Sequence, residues 1–149
     1  MSDVISRESN VELFARKEVT VRFNEVDSMG IVWHGSYVKY FEDAREEFGK
    51  KYDIGYLKIF GEGYYAPLVN IDFSFKKPLV YGDTAIVEIR YIPHEAAKIC
   101  FEYKIYSAKD NSLVVTGTSV QVFLDKKYEL IWCKPEFYSK WCKLYRVDV

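Results

Sequence analysis

The feature that most constrains this chain is the alternation that fills its second half. In LVNIDFSFKK, residues 68–77, Val69, Ile71, Phe73 and Phe75 fall on one side and Asn70, Asp72, Ser74 and Lys76 on the other. This is the two-residue period of a strand with one face buried. TAIVEIRYI at 84–92, KICFEYKIYSA at 98–108 and a run from about Leu113 to about Leu124 follow. Turn formers separate them: Pro78, Gly82 and Asp83, then Pro93-His94-Glu95, then Lys109-Asp110-Asn111-Ser112. Turns this short join antiparallel neighbours, because a parallel pair needs a crossover of a dozen or more residues.

Ahead of these strands, KEVTVRFN at 17–24 is expected as a further strand, with Val19, Val21 and Phe23 on one side. Tyr37, Tyr40, Phe41, Ala44 and Phe48 then recur at spacings of three and four, the apolar face of a helix from about Ser36 to about Lys51. Glu42, Asp43, Glu46 and Glu47 lie mostly off that stripe, and Gly55 is placed to end the following turn. PEFYSKWCKLYR, 135–146, reads as a closing helix with Phe137, Trp141, Leu144 and Tyr145 nearly on one face. One helix followed by long antiparallel strands implies an α+β fold with the sheet packed on the helix. Its edge strands would remain unpaired unless two copies join them.

With 149 residues, 49% of them hydrophobic, the chain suits one domain with a sizeable core, and residues 1–149 are read as that single unit. A net charge of -1 provides no overall field for nucleic acid or acidic membrane. Cys100, Cys133 and Cys142 match neither a CxxC nor a zinc pattern, which favours free thiols in a reducing compartment. MSDVISRESNVELFARKE lacks an apolar signal core, and no run long enough to span a membrane is present, so a soluble, cytoplasmic protein is expected.

The stretch EVDSMGIVWHGSYVKYFEDAREEF, 25–48, crowds Asp27, Gly30, His34 and Gly35 before the helix. Ser36 occupies an N-cap position, leaving amides near Gly35, Ser36 and Tyr37 without intrahelical acceptors. Those donors and the positive helix end favour an oxyanion or polarised carbonyl. Gly30 and Gly35 admit a ligand close to the backbone. Asp27 supplies a carboxylate able to attack a carbonyl or activate water, and His34 a group able to orient water or assist a leaving group. Taken alone, an Asp before a helix is more often a turn former or cap than a catalyst, and a single loop histidine is as ambiguous.

The run from Val21 to Phe48 adds a motif. It fills D-x-x-G-x-V-[aromatic]-H-x-x-Y-x-x-[aromatic]-[aromatic]-E-x-A-R-x-E with Asp27, Gly30, Val32, Trp33, His34, Tyr37, Tyr40, Phe41, Glu42, Ala44, Arg45 and Glu47. This resembles the hotdog-fold acyl-CoA thioesterases of the 4-hydroxybenzoyl-CoA thioesterase family, nearest the Tol-Pal-cluster acyl-CoA thioesterase-like branch. The likeness covers about residues 17–125, leaving an aromatic-rich extension at about 126–149. It implies an antiparallel sheet wrapped around a long central helix, and homodimers or homotetramers with the site at a subunit interface. It also implies cofactor-independent hydrolysis of acyl-CoA or acyl-carrier-protein thioesters. Asp27 would be nucleophile or general base, His34 its companion, and the amides of His34, Gly35 and Ser36 the carbonyl holders. Gly30, Ile31, Trp33 and Tyr37 are expected to line the substrate, with Lys77 beside coenzyme A phosphates; paired strand-end lysines such as Lys76 and Lys77 also serve as plain edge protection. The branch often carries Tyr where Trp33 stands and acidic residues at the positions of Asn24 and Glu25.

A hotdog dehydratase and a non-catalytic acyl-thioester binder are the alternatives. The two histidines, His34 and His94, lie far apart with no HExxH or clustered ligand set, so no metal is expected. Phosphate-loop glycine motifs are absent from the sequence.

Overall fold

The computed structural model describes residues 11–149; the N-terminal reading over residues 1–10 lies outside them. Strand β1 (Phe14–Thr20) leads through a 3-10 turn (Phe23–Glu25) and a loop into a second 3-10 turn (His34–Ser36). Helices α1 (Tyr37–Tyr52) and α2 (Tyr56–Gly61) follow, then β2 (Tyr64–Tyr65), β3 (Leu68–Phe75), β4 (Thr84–Ile92), β5 (Lys98–Ser107), β6 (Leu113–Asp125), β7 (Leu130–Ile131) and α3 (Glu136–Leu144). Every strand pairing is antiparallel. The sheet runs β1-β4-β5-β6, and β3 borders the far side of β6, where the short β2 also pairs. The expected antiparallel sheet around one long helix is present.

The alternation in the sequence becomes burial: Ala85, Val87, Ile89 and Tyr91 on β4, and Ile99, Phe101, Tyr103 and Ile105 on β5, all face the core. Tyr37, Tyr40, Phe41, Ala44 and Phe48 of α1 are buried against them. Phe41 stacks on Tyr103 with ring centroids 4.0 Å apart, and Phe48 meets Phe101 edge-on at 4.9 Å. Helix and sheet come this close because residue 117 on β6 is glycine: a Cβ there would lie 2.6 Å from the Phe41 ring.

Several expectations shift. The first strand starts earlier and stops at Thr20, and Phe23, expected inward, is 78% exposed on the 3-10 turn. On β3 the register slips between Leu68 and Asn70, and both Val69 and Phe75 are exposed. Asp53, in the left-handed region at φ 54, closes α1 by donating its N–H to the Gly49 carbonyl, and the turn that follows ends at Gly55, directly before α2. Gly49 permits the close approach of the following turn, since a Cβ on it would sit 2.7 Å from the Gly55 Cα.

The C-terminal segment is not an appendage. Tyr138, Trp141, Cys142 and Val147 belong to the same hydrophobic cluster that begins at Leu13. The buried stripe of α3 is therefore rotated from the expected one, and Leu144 is 74% exposed. Polar partners set the rotation: the Tyr138 hydroxyl donates to the Lys98 carbonyl at 2.8 Å, and the Trp141 indole N–H donates to the Tyr52 carbonyl at 2.7 Å. Cys100, Cys133 and Cys142 are free. Among the described residues no helix is long and apolar enough to cross a membrane.

Candidate functional site

The loop before α1 is a small hairpin folded against the turn that joins β3 to β4. Val26 bridges Val32, and the Asp27 N–H donates to the Ile31 carbonyl at 2.8 Å. Gly30, at φ +78, closes the turn and donates to the Asp27 carbonyl at 3.0 Å. Ile31 bridges Val80, and the Val32 N–H donates to the Leu79 carbonyl at 2.8 Å. The KPLVYGD segment is thus the platform on which the loop rests.

Glu25 fixes how the loop enters the helix. Its carboxylate is buried and accepts the Arg22 N–H at 2.8 Å and the Tyr40 hydroxyl at 3.0 Å. Its backbone carbonyl accepts the Trp33 N–H at 2.9 Å and the Ser36 hydroxyl at 3.0 Å. Burial, and then the Glu25 hydrogen bond, push the Tyr40 phenol well above the usual tyrosine range. Four bonds converge on one residue whose role single-residue reasoning missed. Its sequence signal was the acidic residue that the resembled branch often carries at this position, fifteen residues before an aromatic helix residue.

Asp27 is half-buried. Its Oδ1 accepts the Met29 N–H at 2.8 Å, a turn-forming bond. Among the described residues its Oδ2 has no hydrogen-bond partner, which leaves one oxygen for chemistry. His34 is exposed, its ring 4.9 Å from that of Trp33, and no hydrogen bond joins it to Asp27. Trp33 is 51% exposed and its ring lies over Gly35, so that any Cβ at residue 35 would run into it.

The three nominated amides are not equivalent. The Ser36 N–H already donates to the Trp33 carbonyl at 2.8 Å, closing the 3-10 turn. Ser36 is also no side-chain cap, because its hydroxyl points back to Glu25. The amides of His34 and Gly35 meet no acceptor among the described residues, so they are the donors left at the start of α1. Tyr37 is buried one residue on, its phenol raised by that burial against a smaller opposing effect of the Leu79 backbone.

Gly30, Ile31, Trp33 and Tyr37 thus gather around the loop, while Lys77 stands apart. Its N–H donates to the Val114 carbonyl at 3.1 Å, and its charge reaches Asp110. That carboxyl is held below its usual range first by Ser112 and then by Lys77. Among the described residues no three His, Cys, Asp or Glu side chains gather as a metal site. A cavity of about 600 Å³ lies along α1 and beneath α2, and neither Asp27 nor His34 lines it.

The profile of the thioesterase-like superfamily matches residues 21–140. A Bacillus subtilis (strain 168) protein named "Putative acyl-CoA thioesterase YneP" is 34% identical over 113 residues, 76% of this chain and 81% of that one. The chloroplastic acyl-acyl carrier protein thioesterase ATL3 of Arabidopsis thaliana is 27% identical over 135 residues, 91% of this chain and 71% of that one. In fold, the chain superimposes on a DHNA-CoA thioesterase from Staphylococcus aureus with a TM-score of 0.78 at 22% identity, covering 88% of this chain and 90% of that one.

Proposed function

Because the chain belongs to the thioesterase-like superfamily, we propose that it hydrolyses acyl thioesters at the loop before α1. The proposed carriers are coenzyme A and acyl-carrier protein, as in the names of its relatives. The observation that carries the site assignment is the pairing, within one short loop, of the Asp27 Oδ2 with the open N–H groups of His34 and Gly35. In this reading the carbonyl oxygen of the thioester accepts from those amides, whose alignment with the helix dipole favours the negative charge that develops there. Asp27 takes a proton from water as the water oxygen bonds to the carbonyl carbon, or attacks that carbon itself to give a mixed anhydride that water then opens. Either way the C–S bond breaks, the thiolate leaves and takes up a proton, and the acid is released. In this reading His34 assists the leaving sulfur.

The loop faces an apolar surface that a second copy would cover. Phe23, Met29, Trp33, Val80 and Tyr81 are exposed around it, and among the described residues β3 pairs on one side only. A homodimer or homotetramer joined there would exclude water from the loop.

The test is thiol release from a panel of acetyl-, octanoyl-, palmitoyl- and benzoyl-CoA and acyl-carrier protein, for wild type and Asp27→Asn. Turnover that collapses in the variant supports the reading; full turnover by Asp27→Asn defeats the assignment of Asp27. Single turnover in ¹⁸O-water identifies an anhydride opened at the Asp27 carbonyl carbon, since label then enters the Asp27 carboxylate and is absent from the product acid, whereas general-base hydrolysis places it in the product acid. Light scattering on the purified protein reads the assembly.

A further inference from the structure

One exposed face, away from the loop before α1, combines aromatic rings with lysines. Tyr56 and Phe60 of α2, Tyr65 of β2 and Tyr128 in the turn after β6 form a chain of ring contacts, with successive centroids 6.0, 5.9 and 5.3 Å apart. Tyr65 stands opposite Leu124 and Leu124 opposite Leu130, so these three side chains share one face of β2, β6 and β7. The other face of the same strands is the core side, where Tyr64 meets Phe123 and Phe137. Tyr56, Leu57 and Tyr128 are 70–78% exposed, and Trp132, two residues past Leu130, is 82% exposed. Rings of this size left in water mark a surface that something covers.

The turn that carries Tyr128 directs its acid inward and its bases outward. Asp125 Oδ1 accepts the N–H of Lys127 at 2.8 Å and that of Glu129 at 3.1 Å, and the Tyr128 N–H donates to the Asp125 carbonyl at 3.0 Å. Tyr128 sits at φ 65, where glycine or asparagine is less strained. The turn thus displays an aromatic ring at a position that disfavours one. The Lys126 ammonium lies 3.3 Å from the Phe60 ring centroid and 4.4 Å from that of Tyr65, its stem lying along the rings. Among the described residues Lys126, Lys127 and Lys134 form no ion pair. Over residues 126–149 six Lys and Arg stand against three Asp and Glu, although the whole chain has 21 against 22. The positive charge is segregated onto this end of the chain, so its complement is anionic.

The side chains select among anionic occupants. Tyr and Trp rings beside aliphatic groups and lysine stems suit the boundary between hydrocarbon and headgroups, where such residues settle. Leu57 and Leu130 offer a nucleobase nothing to stack on. A two-fold contact between copies centred on Lys126 would set lysines against lysines. We propose that this face docks peripherally on an anionic lipid surface, with Leu57, Tyr128 and Trp132 at the headgroup boundary and Lys126 and Lys127 at the phosphates. Such docking needs no spanning helix, and the inference does not rest on the thioesterase reading.

The test is sedimentation of the purified protein with vesicles of three parts phosphatidylglycerol to seven parts phosphatidylcholine. Wild type is expected to bind them about tenfold more tightly than phosphatidylcholine alone, and to release them in about 0.5 M sodium chloride. Lys126→Glu with Lys127→Glu should weaken binding by about tenfold or more. The control makes the same change of charge at the far end of β6, where Lys104 stands opposite Thr116 and the Lys76 N–H donates to Val114. Lys76→Glu with Lys104→Glu should leave binding within about twofold of wild type. No binding by wild type, or an equal loss in both double variants, overturns the proposal. Phosphatidylglycerol brominated near the headgroup reads which face touches the bilayer, and this readout holds even if the charge variants fail to fold. Tryptophan quenching in wild type should be largely lost in Trp132→Phe, and quenching that is unchanged in that variant overturns the assignment of this face. Absence of vesicle binding beside capture of polyuridylate or acyl-carrier protein, or self-association that Tyr128→Ser abolishes, assigns the face to that partner and likewise overturns the proposal. Thioester turnover enters neither readout, so failure here and failure of the catalytic reading are separate results.

Discussion

At its N-terminal end α1 starts with two amides, those of His34 and Gly35, that find no acceptor among the described residues. At its C-terminal end the Asp53 N–H is given to Gly49 and the Tyr52 carbonyl is taken by the Trp141 indole. A helix leaves donors open at its start and acceptors open at its end as a matter of geometry. Here the Tyr52 acceptor is filled by the C-terminal segment and the Gly49 acceptor by the chain that follows the helix, while the two donors are left in the loop before it. The difference separates two jobs within one helix: the closed end holds the fold, and the open end is available to a ligand.

The largest test of that division is Asp27→Asn. Asparagine can accept the Met29 N–H as aspartate does, so the loop turn survives while the free carboxylate oxygen is lost. Thioester turnover is expected to fall by about 10²–10⁴-fold, with the thermal midpoint nearly unchanged. A large drop in stability would mean that the open end is structural after all. Trp141→Ala probes the opposite end. Trp141 is 6% exposed and packs on Tyr91, Tyr138 and Tyr145 as well as holding the Tyr52 carbonyl. Its loss should cost about 3–5 kcal/mol in urea unfolding, with acetyl-CoA turnover per folded molecule retained. Loss of turnover in the folded fraction would break the separation.

Glu25 lies where the two jobs meet, and its substitution sharpens the contrast. Glu25→Ala strands the buried Tyr40 hydroxyl and removes the acceptor of the part-buried Arg22 N–H, an expected loss of about 1–3 kcal/mol for an unpaired buried group. Because the Glu25 carbonyl also holds Trp33 and Ser36, kcat should fall as well. Measured together, unfolding and kcat should both respond, unlike either preceding variant. A fall in stability with kcat intact would restrict Glu25 to the core.

The same contrast decides what could be read from the sequence. Strands β4, β5 and β6 and the α1 face were legible because burial imposes a period on each, while β3 was legible as a strand but not in its burial, its register slip leaving Val69 and Phe75 exposed. Asp27, Gly30 and His34 of the open end stood out through the motif they fill, since a single Asp or His before a helix carries no period of its own. The closed end follows from partners far along the chain. Tyr138 turns inward because the Lys98 carbonyl is there, and at the other end Glu25 is buried because its carboxylate accepts from the Tyr40 hydroxyl. Neither pairing leaves a local pattern. Helix α2, β2 and β7 escaped for a different reason, being too short to complete a period. Ser36 looked like a cap because its type fits one, whereas its hydroxyl had a competing acceptor in Glu25.

The smallest expected effect is on thiol chemistry, and it tests whether the closed end stays closed. Burial pushes the Cys142 thiol up, against a smaller opposing effect of the Tyr91 hydroxyl, and burial likewise raises Cys100. The thiolate is the reacting species, so a raised thiol reacts more slowly at a given pH and gains reactivity only as pH climbs further. Cys133 is exposed. With a thiol-reactive dye at pH 8, Cys133 should label first, Cys100 later, and Cys142 only as α3 detaches from Tyr91 and Phe48. Peptide mapping by mass spectrometry reads the order, and Trp141→Ala should accelerate Cys142 while leaving Cys133 unchanged. If Cys142 labels as fast as Cys133 in wild type, the C-terminal segment opens readily, and the closed end of α1 is a resting position of α3 rather than the anchor of the fold.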